Sequence, residues 1–283
     1  MQIGIAFPTL ELTDPRQVRD FAQEAEHLGF GFLTALEHTL GTRALREGGQ
    51  DAYTPDMFIH EPMVLFGYLA GLTERIEFVS SILILPQRQT ALVARQAAEV
   101  DHLSGGRLRL GVGLGNSDVE ATGLGTDFHT RGARIEEQVE VMRALWTQRE
   151  LTYHGRWHHL ENSGLTVLPV QQPIPVWFGG GGSARTLERI GRIGDGWIAT
   201  GPAPERIAAI RAAAVAAGRA ADAVGIQGRF TVTGGEPEAW RVEVERWREL
   251  GATHLTVNTR GTGSDQAVAH LRVAERFLKE AWA

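Results

Sequence analysis

An acidic residue and a histidine stand side by side where the second apolar run of the sequence ends. Glu37 and His38 follow GFLTAL, residues 31–36, and open a polar segment that extends to Pro62. Histidine titrates near neutral pH and can relay a proton or hydrogen-bond a ligand, and a neighbouring carboxylate can orient polar atoms of a ring. The two residues are therefore either a catalytic pair or a solvated pair at the end of a strand.

A second candidate site is the glycine run in PVWFGGGGSARTLERI, residues 175–190. The run lies between a short apolar segment and a helical pattern that begins near Ser183. Free N–H groups at a helix N-terminus bind phosphate without a lysine, because the helix dipole adds to their attraction. We interpret the run as a phosphate cradle, with a purely structural turn as the alternative. Its four glycines are Gly179, Gly180, Gly181 and Gly182.

Two further segments place small residues in or after an apolar run. IEFVSSILIL, residues 76–85, has Ser80 and Ser81 among large apolar residues. Such residues are typical of a bulge or of a ligand close to the strand, and ordinary tolerance of serine is the alternative. LGVGLGNSD, residues 110–118, has alternate glycines that let a flat ligand approach, with Asn116 beside it. As a dinucleotide-binding fingerprint this pattern is incomplete.

Composition and charge exclude several classes of function. The 283 residues include no cysteine, which excludes disulfides, thiolate catalysis and cysteine-ligated metals. A net charge of −6 without a basic run argues against nucleic acid as the main partner. The histidines form no HExxH pattern, so no metal site is predicted, and no GxSxG is present for a serine hydrolase. No apolar run approaches about 20 residues, which predicts a cytoplasmic protein without a membrane partner.

The elements that must position these residues alternate regularly. Apolar runs of strand length are each followed by a segment with helical spacing, about eight times along the chain. The runs are continuous, which is typical of parallel strands buried on both faces. This rhythm predicts an α/β fold, a (β/α)₈ TIM barrel that forms a single domain over residues 1–283. An open doubly wound sheet is the alternative.

Two segments interrupt the alternation. The polar segment at residues 37–62 follows the second strand and is expected at the C-terminal face, where active sites of this fold are built. Within it, Tyr53, Met57 and Phe58 are predicted to form a substrate wall or lid. ELTYHGRWHHLE, residues 150–161, predicts a small hairpin before strand 5 that serves as a decoration or a subunit contact.

Together these segments resemble the bacterial luciferase-like monooxygenase family of flavin and deazaflavin enzymes. The matching stretches are EAEHLGFGFLTALEH, LTERIEFVSSILILPQR, AEVDHLSGGRLRLGVGLG, RGARIEEQVEVMRALW, YHGRWHHLE and PVWFGGGGSARTLERIGRIGDGW. They follow the family's order over residues 1 to about 200, and beyond that only the strand–helix rhythm continues. The resemblance implies a (β/α)₈ barrel that binds FMN or the deazaflavin coenzyme F420 with the ring at its C-terminal mouth.

The same resemblance assigns roles to the candidate residues. Ser81-Ile82 matches a bulge, often with a non-prolyl cis peptide, that supports one face of the ring. Glu37 is expected at the pyrimidine edge of the ring, and His38 is expected to be the proton relay. The other cofactor-binding candidates are Ser80, Gly113 and Asn116 near the ring, Gly179, Gly180, Gly181, Gly182 and Ser183 at the phosphate, and Thr200 at the neighbouring strand end.

The implied function is an F420-dependent oxidoreductase that exchanges a hydride between the deazaflavin ring and a small organic substrate. F420 is favoured because SILILPQR and PVWFGGGGS look most like the deazaflavin branch. The alternatives are an FMN-dependent monooxygenase, a non-catalytic flavin-binding protein and a phosphosugar enzyme on the same barrel. Family analogy and the hairpin predict a homodimer. Lys279 is the only lysine, so an anionic cofactor tail would be bound by arginine. The candidates for this are Arg43, Arg46, Arg185 and Arg189.

Overall fold

Parallel strands close into a barrel in the computed structural model, which describes residues 1–43, 45–46, 49–50 and 53–282, the two short ranges by backbone only. The eight barrel strands in these ranges are β1 (Gln2–Ala6), β2 (Phe32–Ala35), β3 (Glu77–Ser80), β4 (Leu108–Gly113), β5 (Val176–Gly179), β6 (Gly196–Ile198), β7 (Gly225–Thr231) and β8 (His254–Asn258). Each strand pairs in parallel with the next, and β8 pairs with β1, which closes the sheet. The predicted TIM barrel is confirmed, and the open sheet is excluded.

Helices follow the strands and cover the outside of the barrel. Those in the described part of the chain are α1 (Pro15–His27), α2 (Pro62–Ala70), α3 (Thr90–Ser104), α4 (Asp118–Gly123), α5 (Arg131–Thr147), α6 (Ala184–Ile193), α7 (Pro204–Ala216), α8 (Pro237–Glu249) and α9 (Ala267–Phe277). Within the described ranges, none of these helices combines the length and the apolar character that a membrane crossing needs. Between β2 and α2, the backbone of Leu45–Arg46 pairs antiparallel with that of Gly49–Gln50.

The third strand differs from its prediction. The apolar run at residues 76–85 predicts one strand, but β3 ends at Ser80, and a separate short strand, Leu83–Ile84, pairs with β4. The interruption is the Ser81–Ile82 peptide bond, which is cis, as the family resemblance implied. Backbone pairing continues through this point, because the Ser81 N–H donates to the Ala35 carbonyl at 2.6 Å.

The predicted hairpin before β5 is present. Leu151–His154 pairs antiparallel with His159–Ser163. The turn is attached to α5 through Glu137, whose carboxylate accepts the backbone N–H of Trp157 at 2.8 Å and that of His158 at 2.9 Å. The hairpin is therefore fixed to the outside of the barrel, and its role as a subunit contact stays a prediction.

Large rings opposite glycines fill the barrel interior. Trp177 of β5 lies across Gly196 and Gly225, where an added Cβ would come within 2.1 Å and 2.7 Å of its ring atoms. A Cβ added to Gly4 of β1 would likewise lie 2.3 Å from a ring atom of Phe32 of β2. Because interiors are close-packed, the space that the rings occupy requires glycine at these strand positions.

A buried arginine lies among these rings toward the N-terminal end of the barrel. Arg109 of β4 is 5% exposed, and its guanidinium carbon lies 4.8 Å from the Phe32 ring centroid and 4.6 Å from that of Trp177. Burial lowers the pKa of Arg109 to about 10, although the Glu77 carboxylate, to which it donates at 3.2 Å, counteracts the shift. The continuous apolar runs of the sequence do not predict this charged layer.

His254, beside this arginine, makes the stability of the fold depend on pH. Burial, and then repulsion from Arg109 and the N-terminal amino group, lower the pKa of His254 from 6.5 to about 3. Between about pH 3 and pH 6.5 the unfolded chain therefore binds a proton that the folded chain does not. As the pH is lowered through this range, the free energy of unfolding should fall by up to about 1.4 kcal/mol per pH unit.

We expect His254→Gln to lose less stability than the wild type between about pH 6 and pH 4, as measured by urea denaturation. The control is His27→Gln, at an exposed position at the end of α1. Parallel pH profiles for His254→Gln and the wild type would show that this histidine does not carry the effect.

Candidate functional site

Two adjoining cavities lie at the C-terminal ends of the strands. The first, which we call the glycine cavity, has a volume of about 590 Å³. The second, the lumen cavity, has a volume of about 420 Å³ and lies over the barrel interior. The glycine cavity is lined by Glu37, His38, Ile82, Ile84, Gly113, Leu114, Gly115, Asn116, Gly179–Gly182 and Thr186. Leu36, Tyr53, Ser81 and Arg229 line both cavities, which are therefore neighbours.

Ile82 packs on glycines of two neighbouring strands. A Cβ added to Gly113 of β4 would lie 2.6 Å from Ile82 Cδ1, and one added to Gly179 of β5 would lie 2.5 Å from Ile82 Cγ2. Both glycines therefore make room for this side chain, which lines the glycine cavity. Ser80 is fully buried and lines neither cavity, because its hydroxyl donates to the Gly111 carbonyl at 2.8 Å and accepts the Gly111 N–H at 3.0 Å.

The glycine run leaves β5 in a conformation that favours glycine. Gly180 and Gly181 have φ angles of +98° and +133°. The Gly180 carbonyl accepts the indole N–H of Trp197 at 2.6 Å, which anchors the run to β6. Within the described part of the chain, the N–H groups of Gly181 and Gly182 donate to no acceptor. The run therefore presents two free backbone donors at the edge of the cavity, close to the start of α6.

His38 is held from two sides. Its Nδ1 lies 3.3 Å from Oε2 of Glu120, a fully buried side chain on α4. The other carboxylate oxygen of Glu120 accepts the backbone N–H of Thr39 at 2.7 Å and that of Leu40 at 3.0 Å. Tyr53 stacks on the imidazole with the ring centroids 4.0 Å apart. The orientation of the imidazole is thus fixed, and Nε2 is the ring nitrogen left for a ligand.

Glu120 is a site residue that the sequence analysis missed. Burial alone would raise its pKa, but the hydrogen bonds from His38, Leu40 and Thr39 outweigh burial and lower the pKa below its ordinary value. The signal was present as Ser117-x-x-Glu120, the spacing of a capping box. Ser117 does cap α4 by accepting the Glu120 N–H at 3.1 Å, but the Glu120 carboxylate binds the loop after β2.

Glu37 has other partners than its neighbour His38. Its carboxylate accepts the Nε–H of Arg88 at 2.7 Å, a second N–H of Arg88, and the backbone N–H of Ile84. Arg88 also donates to Glu61 at 2.6 Å. Burial raises the pKa of Glu37, while Arg88 and the Ile84 N–H counteract the shift. The carboxylate predicted for the pyrimidine edge of a ring is therefore 5% exposed and engaged within the chain.

The remaining candidates are distributed over the two cavities and the surface. Thr200 lines the lumen cavity and not the glycine cavity. Ser183 is exposed, caps α6 by accepting the N–H of residue 186, and lines neither cavity. Of the predicted substrate wall, Tyr53 lines both cavities, whereas Met57 and Phe58 are 41% and 48% exposed and line neither.

The arginines suggested for an anionic cofactor tail are not equivalent. Arg189 is 3% exposed and donates from Nε to Glu136 at 2.8 Å, so the prediction is wrong for this residue. Arg43 and Arg185 are exposed. The side chain of Arg46 lies outside the described residues.

Replacing Glu120 by glutamine should lower stability in a pH-dependent way. The stabilisation by its ionised carboxylate is present above pH 4.5, the ordinary pKa of glutamate, and is lost as the pH falls through the lower pKa of the folded chain. We expect Glu120→Gln to reduce the free energy of unfolding by about 1–3 kcal/mol at neutral pH, and by less near about pH 3.5.

Urea denaturation at both pH values measures this difference. Glu24→Gln, at an exposed position on α1, is the matched control. A deficit of the same size at both pH values would contradict a role for the ionised carboxylate.

The chain is similar in sequence to a number of known proteins. An uncharacterised protein of Mycobacterium tuberculosis (strain ATCC 25618 / H37Rv) is 30% identical over 259 residues, which cover 88% of this chain and 89% of that protein. An F420-dependent glucose-6-phosphate dehydrogenase of Kineococcus radiotolerans is 30% identical over 190 residues, which cover 66% and 52%. An FMNH(2)-dependent dimethylsulfone monooxygenase of Pseudomonas putida is 29% identical over 235 residues, which cover 80% and 61%.

The fold and the family profile agree with these similarities. The structure of monooxygenase RslO1 from Streptomyces bottropensis matches the barrel with a TM-score of 0.78 at 19% identity, over all of both chains. The profile of the luciferase-like monooxygenase family matches residues 1–282. Members of that family are flavin- or deazaflavin-dependent oxidoreductases or monooxygenases. This chain belongs to the luciferase-like monooxygenase family.

Proposed function

We propose that this chain is an F420-dependent oxidoreductase that transfers a hydride between the deazaflavin ring and a small organic substrate. The composition of the glycine cavity supports the proposal. It combines free N–H donors at Gly181 and Gly182, an apolar wall at Ile82 and an oriented imidazole at His38. A planar ring with a phosphate-bearing side chain needs all three kinds of contact, since ring, phosphate and reacting centre differ in polarity.

The donors and the apolar wall of the cavity fit the phosphate and the ring of such a cofactor. The N–H groups of Gly181 and Gly182 would bind the phosphate, and Ile82 with the Gly113–Asn116 segment would support the ring. When bound, F420 would supply the hydride donor or acceptor, which no side chain can be.

His38 is the proposed proton relay. Because its Nδ1 faces Glu120, the proton exchanged with a substrate oxygen would be held at Nε2. The Glu120 carboxylate would hold the imidazole in this orientation, and Tyr53 covers one face of the ring and limits its contact with water. Glu37 is proposed as a positioning residue, because its carboxylate holds Ile84 and Arg88 immediately beyond Ile82.

An FMN-dependent monooxygenase is the second candidate. It is favoured by the similarity to the FMNH(2)-dependent dimethylsulfone monooxygenase over 80% of this chain. F420 is preferred because SILILPQR and PVWFGGGGS resemble the deazaflavin branch, and because one relative at 30% identity is F420-dependent. Oxygen consumption with reduced FMN distinguishes the two reactions.

Fluorescence titration of the protein with F420 and with FMN tests the cofactor site. Trp197 provides the reporter, because its indole N–H is bonded to the Gly180 carbonyl inside the proposed phosphate loop. We expect F420 to change the fluorescence saturably. We further expect Gly181→Val to raise the cofactor Kd about tenfold or more, since valine resists a φ of +133° and its Cβ would crowd Trp197.

The matched control is Gly218→Val, which replaces a glycine with a φ of +75° and open space at the end of α7. Saturable binding of FMN alone would move the assignment to the monooxygenase. Equal affinity of the wild type and Gly181→Val would contradict the phosphate loop.

His38→Ala should separate chemistry from binding. We expect turnover to fall by about 10²–10⁴-fold, because a positioned proton donor is lost. The cofactor Kd should stay within about threefold of the wild-type value, since the ring and phosphate contacts lie elsewhere. Turnover is measured on the alcohol or enone of a substrate panel that the wild type uses best, with the exposed His27→Ala as control. Equal loss of turnover and affinity would contradict the relay role.

A further inference from the structure

The lumen cavity has a polar wall that β7 and β8 build together. Alternate residues of a strand lie on one face, and β7 places Gln227, Arg229 and Thr231 toward the cavity. The strand register sets Arg229 opposite Thr256 and Thr231 opposite Asn258 of β8. All five residues line the cavity. The Gln227 amide accepts from Arg109 at 3.3 Å and donates to Thr256 at 3.1 Å, so the hydrogen-bonding groups offered to a ligand lie at the two outer levels.

The described lining of the same cavity carries positive charge. Its described lining contains Arg229 and Arg260 and no aspartate or glutamate. Both arginines are exposed, and within the described residues neither side chain forms an ion pair or a hydrogen bond. Arg109, deeper in the barrel, differs because it donates to Glu77 at 3.2 Å. The two arginines at the mouth are therefore available to a ligand, whereas the buried one is committed to the fold.

We propose that the lumen cavity is the substrate site and that Arg229 and Arg260 select a small substrate bearing a carboxylate or phosphate group. Guanidinium groups donate in a planar fork that matches both oxyanions and binds either with two parallel hydrogen bonds. Thr231 and Asn258 offer further hydrogen bonds to the same group. A volume of about 420 Å³ is within the range of small-molecule sites.

The inference rests on the proposed function, because it requires a cofactor in the neighbouring cavity. Arg229, Leu36, Tyr53 and Ser81 line both cavities, so a molecule held in the lumen cavity would border the ring that the glycine cavity would hold. Tyr53 also stacks on His38, which connects the substrate cavity to the proposed proton relay. An anion at the two arginines would thus be anchored while its uncharged part extends toward the ring.

Calorimetric titration with two simple anions tests the site. Inorganic phosphate and acetate are titrated separately into the wild type, loaded beforehand with whichever of F420 or FMN binds. We expect saturable binding of at least one anion, and about a tenfold or larger rise of its Kd in Arg229→Gln and in Arg260→Gln. Binding of phosphate alone would indicate a phosphate ester, and binding of acetate alone a carboxylic acid.

Arg272→Gln is the matched control, since it removes an exposed arginine from α9, away from both cavities. The Kd of each anion should be unchanged in this variant. Each variant is also titrated with F420 and FMN. We expect the cofactor Kd to change by less than about threefold in Arg260→Gln and Arg272→Gln, and by less than the anion Kd in Arg229→Gln, because Arg229 also lines the glycine cavity.

Three results with the loaded protein would overturn the inference. They are the absence of anion binding to the loaded wild type, wild-type anion affinity in both glutamine variants, and an Arg229→Gln variant that loses cofactor affinity as strongly as anion affinity. The last result would assign Arg229 to the cofactor's own anionic tail. If the wild type binds neither cofactor, the proposed function fails separately, and the arginine variants are then compared in the unloaded protein. In the unloaded protein, the inference would also be overturned if Gly181→Val lost phosphate binding and the arginine variants kept it.

Discussion

The packing of Ile82 against two glycines is the contact on which the candidate site depends. Gly113 ends β4 and Gly179 ends β5, and a Cβ at either position would lie within 2.6 Å of an Ile82 side-chain atom. Ile82, which follows β3, thereby forms one apolar wall with the ends of β4 and β5. Gly179 is also the first residue of the glycine run, so the same contact determines where the free N–H donors leave the barrel. Ser81, the residue before Ile82, lines both cavities and forms part of their boundary.

Consecutive residues at the end of β2 serve different purposes because their side chains have different partners. Glu37 is bound by Arg88 and Ile84, and this carboxylate ties β2 to the segment after β3. His38 is bound by Glu120 of α4 at Nδ1, which leaves Nε2 for a ligand. Glu37 thus stabilises the segment that continues from Ile82 to Arg88, and His38 places its imidazole beside that segment. The charges within the barrel are arranged in the same way, since Arg109 is paired with Glu77 in the interior, whereas the side chain of Arg229 at the mouth has no partner among the described residues.

The sequence predicts the barrel because its strands are apolar on both faces and its helices carry clear boundary residues. The helix at Ala184–Ile193 begins where its pattern predicts, and the hairpin before β5 is correctly predicted. The glycines were identified, but the reason for Gly113 was not, since its close neighbour is a side chain of the same chain, Ile82. A close contact between residues that are far apart in the sequence leaves no periodic pattern in it.

The missed residues share a physical reason. Glu120 was overlooked because its local pattern is that of a helix start, and its contact with His38 spans 82 positions. Arg229 lies within a run that reads as an ordinary strand, and only barrel closure turns its side chain toward the mouth. Arg189 was suggested for ligand binding because its charge is visible in the sequence, whereas its burial against Glu136 is not.

A structure of the protein with bound F420 or FMN is the decisive measurement, since it locates the cofactor phosphate. We expect phosphate oxygens at about 3 Å from the N–H groups of Gly181 or Gly182, with the ring against Ile82. A cofactor phosphate bound by Arg229 and Arg260 in the lumen cavity, with the glycine N–H groups unused, would contradict it.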